Sequence, residues 1–176
     1  KMSNFSNIQK KLNDLINYVN SDMLEIVRTE AVNHFQESFD NEGFTDNNLE
    51  KWKKPKRTKS GSTWYGFKYG SKSKRPGQKK RKKESITNYS NAYTKKPTLS
   101  ASGDLARSIQ YKIEGAAVTV FSNKVYAKIH IEGGKMKVFG KGSATMPKRQ
   151  FIGPSKKLKA KIRKEIENDI QKILNR

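Results

Sequence analysis

The chain has no cysteine, so no disulfide can staple it and no thiolate can hold a metal. Its only two histidines, His34 and His130, leave little material for an imidazole metal centre or an acid–base pair. No uninterrupted apolar run approaches the roughly 18 residues that a membrane-spanning helix needs. The first residues, Lys1-Met2-Ser3-Asn4, carry no signal-like apolar stretch. Acidic side chains are also scarce: 16 Asp and Glu stand against 38 Lys and Arg, for a net charge of +22 over 176 residues. The hydrophobic share is 33% and the charged share 31%, close to the disordered side of globular composition, so part of the chain is not expected to pack by itself. The length suits one domain, residues 1–176, with a real but small core.

The charge is unevenly placed. Residues 1–50 carry 4 basic against 9 acidic side chains, residues 51–96 carry 17 against 1, and residues 97–176 carry 17 against 6. A mildly acidic head therefore precedes a strongly basic remainder. Such a chain can attract an acidic partner, a copy of itself, or the phosphates of nucleic acid.

Apolar positions Ile8, Leu12, Leu15, Ile16, Val19, Met23, Ile26, Val27, Ala31, Phe35 and Phe39 recur at three- and four-residue steps. They predict an N-terminal helical region over 5–40, either one helix or two with a bend at Asn20-Ser21-Asp22, whose stripe belongs to the core or to a coiled-coil arm. His34, on that stripe, reads as a packing residue. Leu158, Ile162, Ile166, Ile170, Ile173 and Leu174 predict a C-terminal helix over 155–175, with Ser155 at its N-cap. Between these lies a β-rich region, 98–153. Ser108 to Ile113 alternates, Glu114-Gly115 offers a turn, and Ala117 to Phe121 returns as a strand. Ser102-Gly103-Asp104 can start a short helical turn. Val125 to Ile131 fits either a strand or a short helix, and Lys135 to Phe139 alternates after the Gly133-Gly134 break. The fold class expected is α+β: an antiparallel twisted sheet packed by the long N-terminal helix and the C-terminal helix, with a long basic arm inserted between.

That arm is 51–97. Trp52, Trp64, Tyr65, Phe67, Tyr69, Tyr89 and Tyr93 are spread among Lys, Gly, Ser and Pro, and Trp64 to Gly70 could close a short hairpin. The run Lys79-Lys80-Arg81-Lys82-Lys83 has no apolar face, so self-repulsion extends it. Aromatics among cations suit a nucleic-acid-binding arm, with rings on bases and lysines on phosphates. They equally suit an assembly arm whose rings fill a neighbour's pockets.

The most informative stretch is Met146-Pro147-Lys148-Arg149-Gln150-Phe151-Ile152-Gly153, a Pro–Gly connector between the strand-forming region and the last helix. A "proline, any, Arg, any, Phe, aliphatic, Gly" run before a final helix resembles the phage virion-morphogenesis (tail-completion) family. Leu99-Ser100-Ala101-Ser102-Gly103-Asp104-Leu105-Ala106-Arg107-Ser108-Ile109 is similar to that family's "Leu, small, Ser-Gly, any, Leu, two more, Ser-Ile" segment. Tyr126-Ala127-Lys128-Ile129-His130-Ile131-Glu132-Gly133-Gly134 is similar to its "Tyr-Ala, any, aliphatic, His, two more, Gly" segment, and Trp52, Pro55 and Thr58 echo an earlier element. The resemblance spans about 52 to 155, and the basic segment 59–96 is longer and more basic than the family leads one to expect.

The resemblance implies a structural virion protein at the head–tail junction, a ring (a hexamer) of copies of itself that completes the tail and joins tail tube to head connector. It implies localisation in the virion after assembly in the host cytoplasm, with no membrane, cofactor or metal. A closed ring needs two unlike faces on each subunit. Arg149, Phe151, Trp52, Trp64, Tyr65 and His130 are the expected partner contacts, with Arg149 left free for a neighbour. Lys79, Lys80, Arg81, Lys82 and Lys83 are the expected DNA-facing residues, meeting phosphates without reading sequence. The alternative is a nucleic-acid-binding protein proper, working through the 51–96 arm. A nuclease built on His130 and Glu132 requires both side chains on one strand face and further ligands that the chain does not obviously offer. The glycines Gly61, Gly66 and Gly70 match no phosphate-binding loop, so no enzyme is expected.

Overall fold

The computed structural model describes residues 2–62, 65, 94–100, 102–138 and 142–175. The expected hairpin at Trp64 to Gly70 lies outside them, apart from Tyr65, as does the run Lys79 to Lys83.

The long helical pattern resolves into two helices, α1 (Met2–Asn20) and α2 (Asp22–Asp40), broken at Ser21. The break falls where small polar residues weaken the helix. Ser21 does not cap α2 through its side chain; its Oγ turns back to the Asn17 carbonyl and to Asp22 Oδ1, each at 2.8 Å. The two halves then have different fates. In α2 the stripe is core: Ala31, Phe35 and Phe39 are buried. In α1 the expected core positions face outward, with Ile8, Leu12, Ile16 and Val19 all exposed. Instead α1 turns another side to the body, where Tyr18 is buried and Lys11 Nζ donates to the Leu174 carbonyl at 2.6 Å. A cation at the open carbonyls of a helix C-terminus is well placed against the helix dipole.

The fold is α+β, and among the described residues its antiparallel part is built as three separate two-stranded ribbons. The first pairs β1 (Gly43–Thr45) with β2 (Leu49–Lys51). It allows no side chain at Gly43, where a Cβ would stand 2.5 Å from the Glu50 carbonyl oxygen. The second pairs β3 (Ile109–Glu114) with β4 (Ala117–Ser122). A short helix, Asp104–Arg107, precedes it, and Gly115 at φ +57° lies in the turn. Another short helix, Ala127–Glu132, takes the place where strand and helix readings competed. The third ribbon pairs β5 (Gly134–Val138) with β6 (Gly142–Met146). The C-terminal helix is Lys156–Leu174.

The core gathers where α2, the first ribbon, the Asp104–Arg107 turn and the start of the C-terminal helix meet. Phe35, Phe39, Phe44, Trp52, Leu105, Ile109, Ala127, Phe151 and Leu158 form it. The second ribbon lies against α2 with Ile109 buried at its base; towards its tip Arg28 sits over the Tyr111 ring at 4.7 Å. The C-terminal helix packs on both α2 and α1, and Lys161 pairs with Glu30 at 2.5 Å.

Two polar knots position the rest. Glu42, in a left-handed turn at φ 45°, accepts the Thr98 backbone N–H on Oε2 at 3.0 Å, while its carbonyl takes the Trp52 N–H at 2.7 Å. Arg57 Nη2 donates to the carbonyls of Lys96 and Pro97, at 3.1 and 3.0 Å. The two stems of the basic segment are thereby held together at the body. At the start of the last helix, Ser155 Oγ accepts from Leu158 N at 3.1 Å and donates to the Thr45 carbonyl at 2.8 Å. Asp46 adds a carboxylate acceptor for Lys156 N at 2.7 Å and a carbonyl for Lys157 N at 2.9 Å. Replacing Ser155 with Ala therefore removes a cap and a tertiary bond at one stroke. Thermal denaturation is expected to show a loss of about 1–2 kcal/mol, and an unchanged melting curve would contradict this account of the helix start.

Candidate interaction surfaces

The connector 146–153 was the sequence's strongest mark, and its side chains turn inward. Phe151 is fully buried, 5.1 Å from the Phe39 ring centroid. Trp52 packs edge-on against Phe39 at 5.5 Å and donates its indole N–H to the Gln150 carbonyl at 2.7 Å. Arg149 does not stand free for a neighbour. It is 7% exposed, its Nε donates to the Lys53 carbonyl at 3.0 Å, and its Nη1 lies 3.6 Å from Met146 Sδ. Its backbone N–H donates to the His130 carbonyl at 2.7 Å. Four of the six expected contact residues thus converge inside one subunit, where their physical role is packing and cross-tying. Tyr65 is at the surface, and Trp64 lies outside the described residues.

His130 follows the same pattern. Residues 127–132 are helical, so His130 and Glu132 point about 200° apart rather than sharing a strand face, which removes the geometry of the nuclease reading. His130 Nδ1 is buried and has no hydrogen-bond partner among the described residues. Desolvation, and then the nearby Arg149 cation, hold its pKa below the ordinary histidine value. No group of three or more potential metal-ligating side chains occurs among the described residues. His34 behaves as a packing residue that donates from Nε2 to the Thr45 carbonyl at 2.9 Å, inside the cluster of Phe35 and Phe44.

With those residues accounted for, the outward surfaces are different ones. The first is α1. Phe5, Ile8, Leu12, Ile16 and Val19 are 71, 65, 56, 50 and 45% exposed. At 100° per residue they fall within an arc of about 80°, centred roughly 100° from Tyr18 and Lys11. No charged side chain lies in that arc, and Gln9, Asn13 and Asn20 border it on one side. The second surface is the free end of the β3–β4 hairpin. Tyr111 and Ile113 share one face and are exposed; Phe121 is exposed on the other face, opposite Gln110 near the base. The sequence contained the signal for the first surface in the apolar stripe itself, which the 3.6-residue period places on one side of α1.

A family model for phage virion morphogenesis matches residues 56–175. The chain belongs to the phage virion morphogenesis family. The match takes in the Asp104–Arg107 turn, the second and third ribbons, the connector and the C-terminal helix, while α1, α2 and Trp52 precede it. No curated protein and no solved structure matches the chain. Membership assigns it a structural role in phage assembly and an association with the virion. Among the described residues no helix is long and apolar enough to cross a membrane.

The buried imidazole gives this architecture a measurable pH signature. A histidine whose folded pKa lies below its unfolded value takes up its proton more readily in the unfolded chain, so stability falls as pH drops below about 6.5. Melting temperatures of His130→Gln and the parent, compared from about pH 7.5 to pH 5, are expected to converge or cross on acidification. Parallel curves would show that His130 is not held neutral by the fold.

Proposed function

We propose that this chain is a structural subunit of the phage head–tail junction, assembling with copies of itself into a ring, a hexamer by family likeness, that completes the tail and joins tail tube to head connector. The observation that carries the reading is the exposed apolar stripe of α1. Five large apolar side chains on one helix face are an unusual exposure for a solitary subunit. Burying each fully is worth about 1.5–3 kcal/mol.

The occupant that fits is a neighbouring subunit. A chain with a net charge of +22 repels its own copies across most of its surface, and the stripe of α1 is a surface where that repulsion is smallest. The hairpin end is also nearly neutral: Lys112 and Glu114 pair with each other at 2.5 Å, beside exposed Tyr111 and Ile113. Stripe and hairpin end supply the two unlike faces that a closed ring requires. The acidic residues of α2 facing the basic C-terminal region of a neighbour would add steering at the rim. The basic segment between Arg57 and Lys96, held at its stems, supplies cationic charge for contact with the tail tube, the connector or channel DNA.

The test is Ile8→Asp combined with Leu12→Asp. Both side chains project from α1 away from the body, so circular dichroism should keep the parent's signature. Light scattering and electron microscopy are expected to show monomers where the parent forms rings, alone or on tail tubes. Unimpaired assembly of the double variant would refute α1 as the ring interface, and a parent that binds DNA but never forms a ring would refute the reading itself.

A further inference from the structure

The third ribbon has a chemistry of its own. The pleat of β5 sends Lys135 and Lys137 to one face and Met136 to the other. Its register sets Lys135 opposite Thr145 and Lys137 opposite Ser143. Directly paired residues share a face, so two ammonium groups and two hydroxyls form one patch, and all four residues are exposed. The Cα atoms of the two lysines are about 7 Å apart, two strand rises.

The surroundings have the same sign. Lys128, on the adjoining short helix, and Lys148, just beyond β6, are exposed as well. Gly133 brings these two segments close together, since a Cβ there would stand 2.8 Å from the Lys148 backbone nitrogen. Between residues 124 and 148 the chain has six lysines and one carboxylate, Glu132. The ion pairs among the described residues lie elsewhere and engage none of Lys128, Lys135, Lys137 or Lys148.

Lysines that merely protect open strand edges from pairing would not need hydroxyls opposite them. Ammonium and hydroxyl groups are the donors that proteins place on phosphate oxygens, and a two-stranded ribbon is slim enough to enter the major groove of a duplex. The patch has no Arg, Asn or Gln to read a base edge.

We infer that the β5–β6 ribbon is a surface for double-stranded DNA, with Lys135 and Lys137 on backbone phosphates, Ser143 and Thr145 donating to phosphate oxygens, and no sequence reading. This places a DNA contact on an element other than the Lys79–Lys83 run. It rests on the head–tail junction reading only for where DNA is met; the contact itself does not depend on a ring.

The experiment uses the full chain and a random-sequence duplex, with affinity followed by fluorescence anisotropy between about 50 and 200 mM salt. Three double variants are compared: Lys135→Ala with Lys137→Ala, Ser143→Ala with Thr145→Ala, and, as a charge-matched control on the C-terminal helix, Lys159→Ala with Lys164→Ala. Losing two phosphate contacts should lower the slope of log affinity against log salt by about 1.8 in the ribbon lysine variant and leave the control's slope unchanged. The hydroxyl variant should bind several-fold more weakly with its slope intact. An equal change in the control, or no change in the lysine variant, overturns the inference. Light scattering on the same samples separates the two readings: variants that form rings yet keep full DNA binding count against the ribbon alone, and a parent that binds DNA through the ribbon without forming rings counts against the junction alone.

Discussion

Phe151 holds this structure together. Among the described residues it is the large side chain with no exposure, and it meets Phe39 at the end of α2 while the carbonyl of its neighbour Gln150 takes the Trp52 indole N–H. Residues 39, 52 and 151 are far apart in sequence, and this junction brings α2, the stem of the basic segment and the approach to the last helix to one point. Truncating an aromatic ring so placed costs about 3–5 kcal/mol, a large fraction of the stability of a domain this size. Arg149 works in the same direction: its Nε on the Lys53 carbonyl and its backbone N–H on the His130 carbonyl tie the connector to its two flanking segments.

Because the marked connector is occupied inside the subunit, the proposed contact with neighbours falls to elements that the core leaves over. The core is small and aromatic, and it is complete without α1, whose outer stripe remains in solvent. It is also complete without the third ribbon, whose strands pair chiefly with each other. One of these surfaces is apolar and uncharged, the other cationic with hydroxyls. In a chain of net charge +22 that division has a physical logic, since close approach of copies favours the neutral surface and approach of a polyanion favours the charged one.

Much of this was readable in the sequence where a local signal decides the outcome. Ser155 before an apolar-periodic run fixed the start of the last helix, Glu114-Gly115 marked the hairpin turn, and the weak point at Asn20-Ser21-Asp22 is where the helical region breaks. What periodicity could not say is that the body takes the side of α1 around Tyr18 and Lys11 and leaves the apolar stripe outward, because only tertiary contact selects the side. The three-residue strands β1 and β2 are too short to alternate visibly, and their pairing depends on the close approach at Gly43. Arg149 looked available because a guanidinium after proline is usually solvated; its burial depends on the Lys53 carbonyl, 96 residues away in sequence. The partner of the lysine-bearing strand was likewise hidden, since Gly142 to Met146 is too small and polar to announce a strand.

The division between an inward connector and an outward α1 is tested most directly by hydrogen exchange, comparing free subunits with the proposed ring. The account predicts new protection along α1, over residues 5–19, and little change around Trp52 and Phe151, which are already shielded in the single subunit. New protection confined to 146–153, with α1 exchanging as freely in the ring as in the monomer, would contradict it.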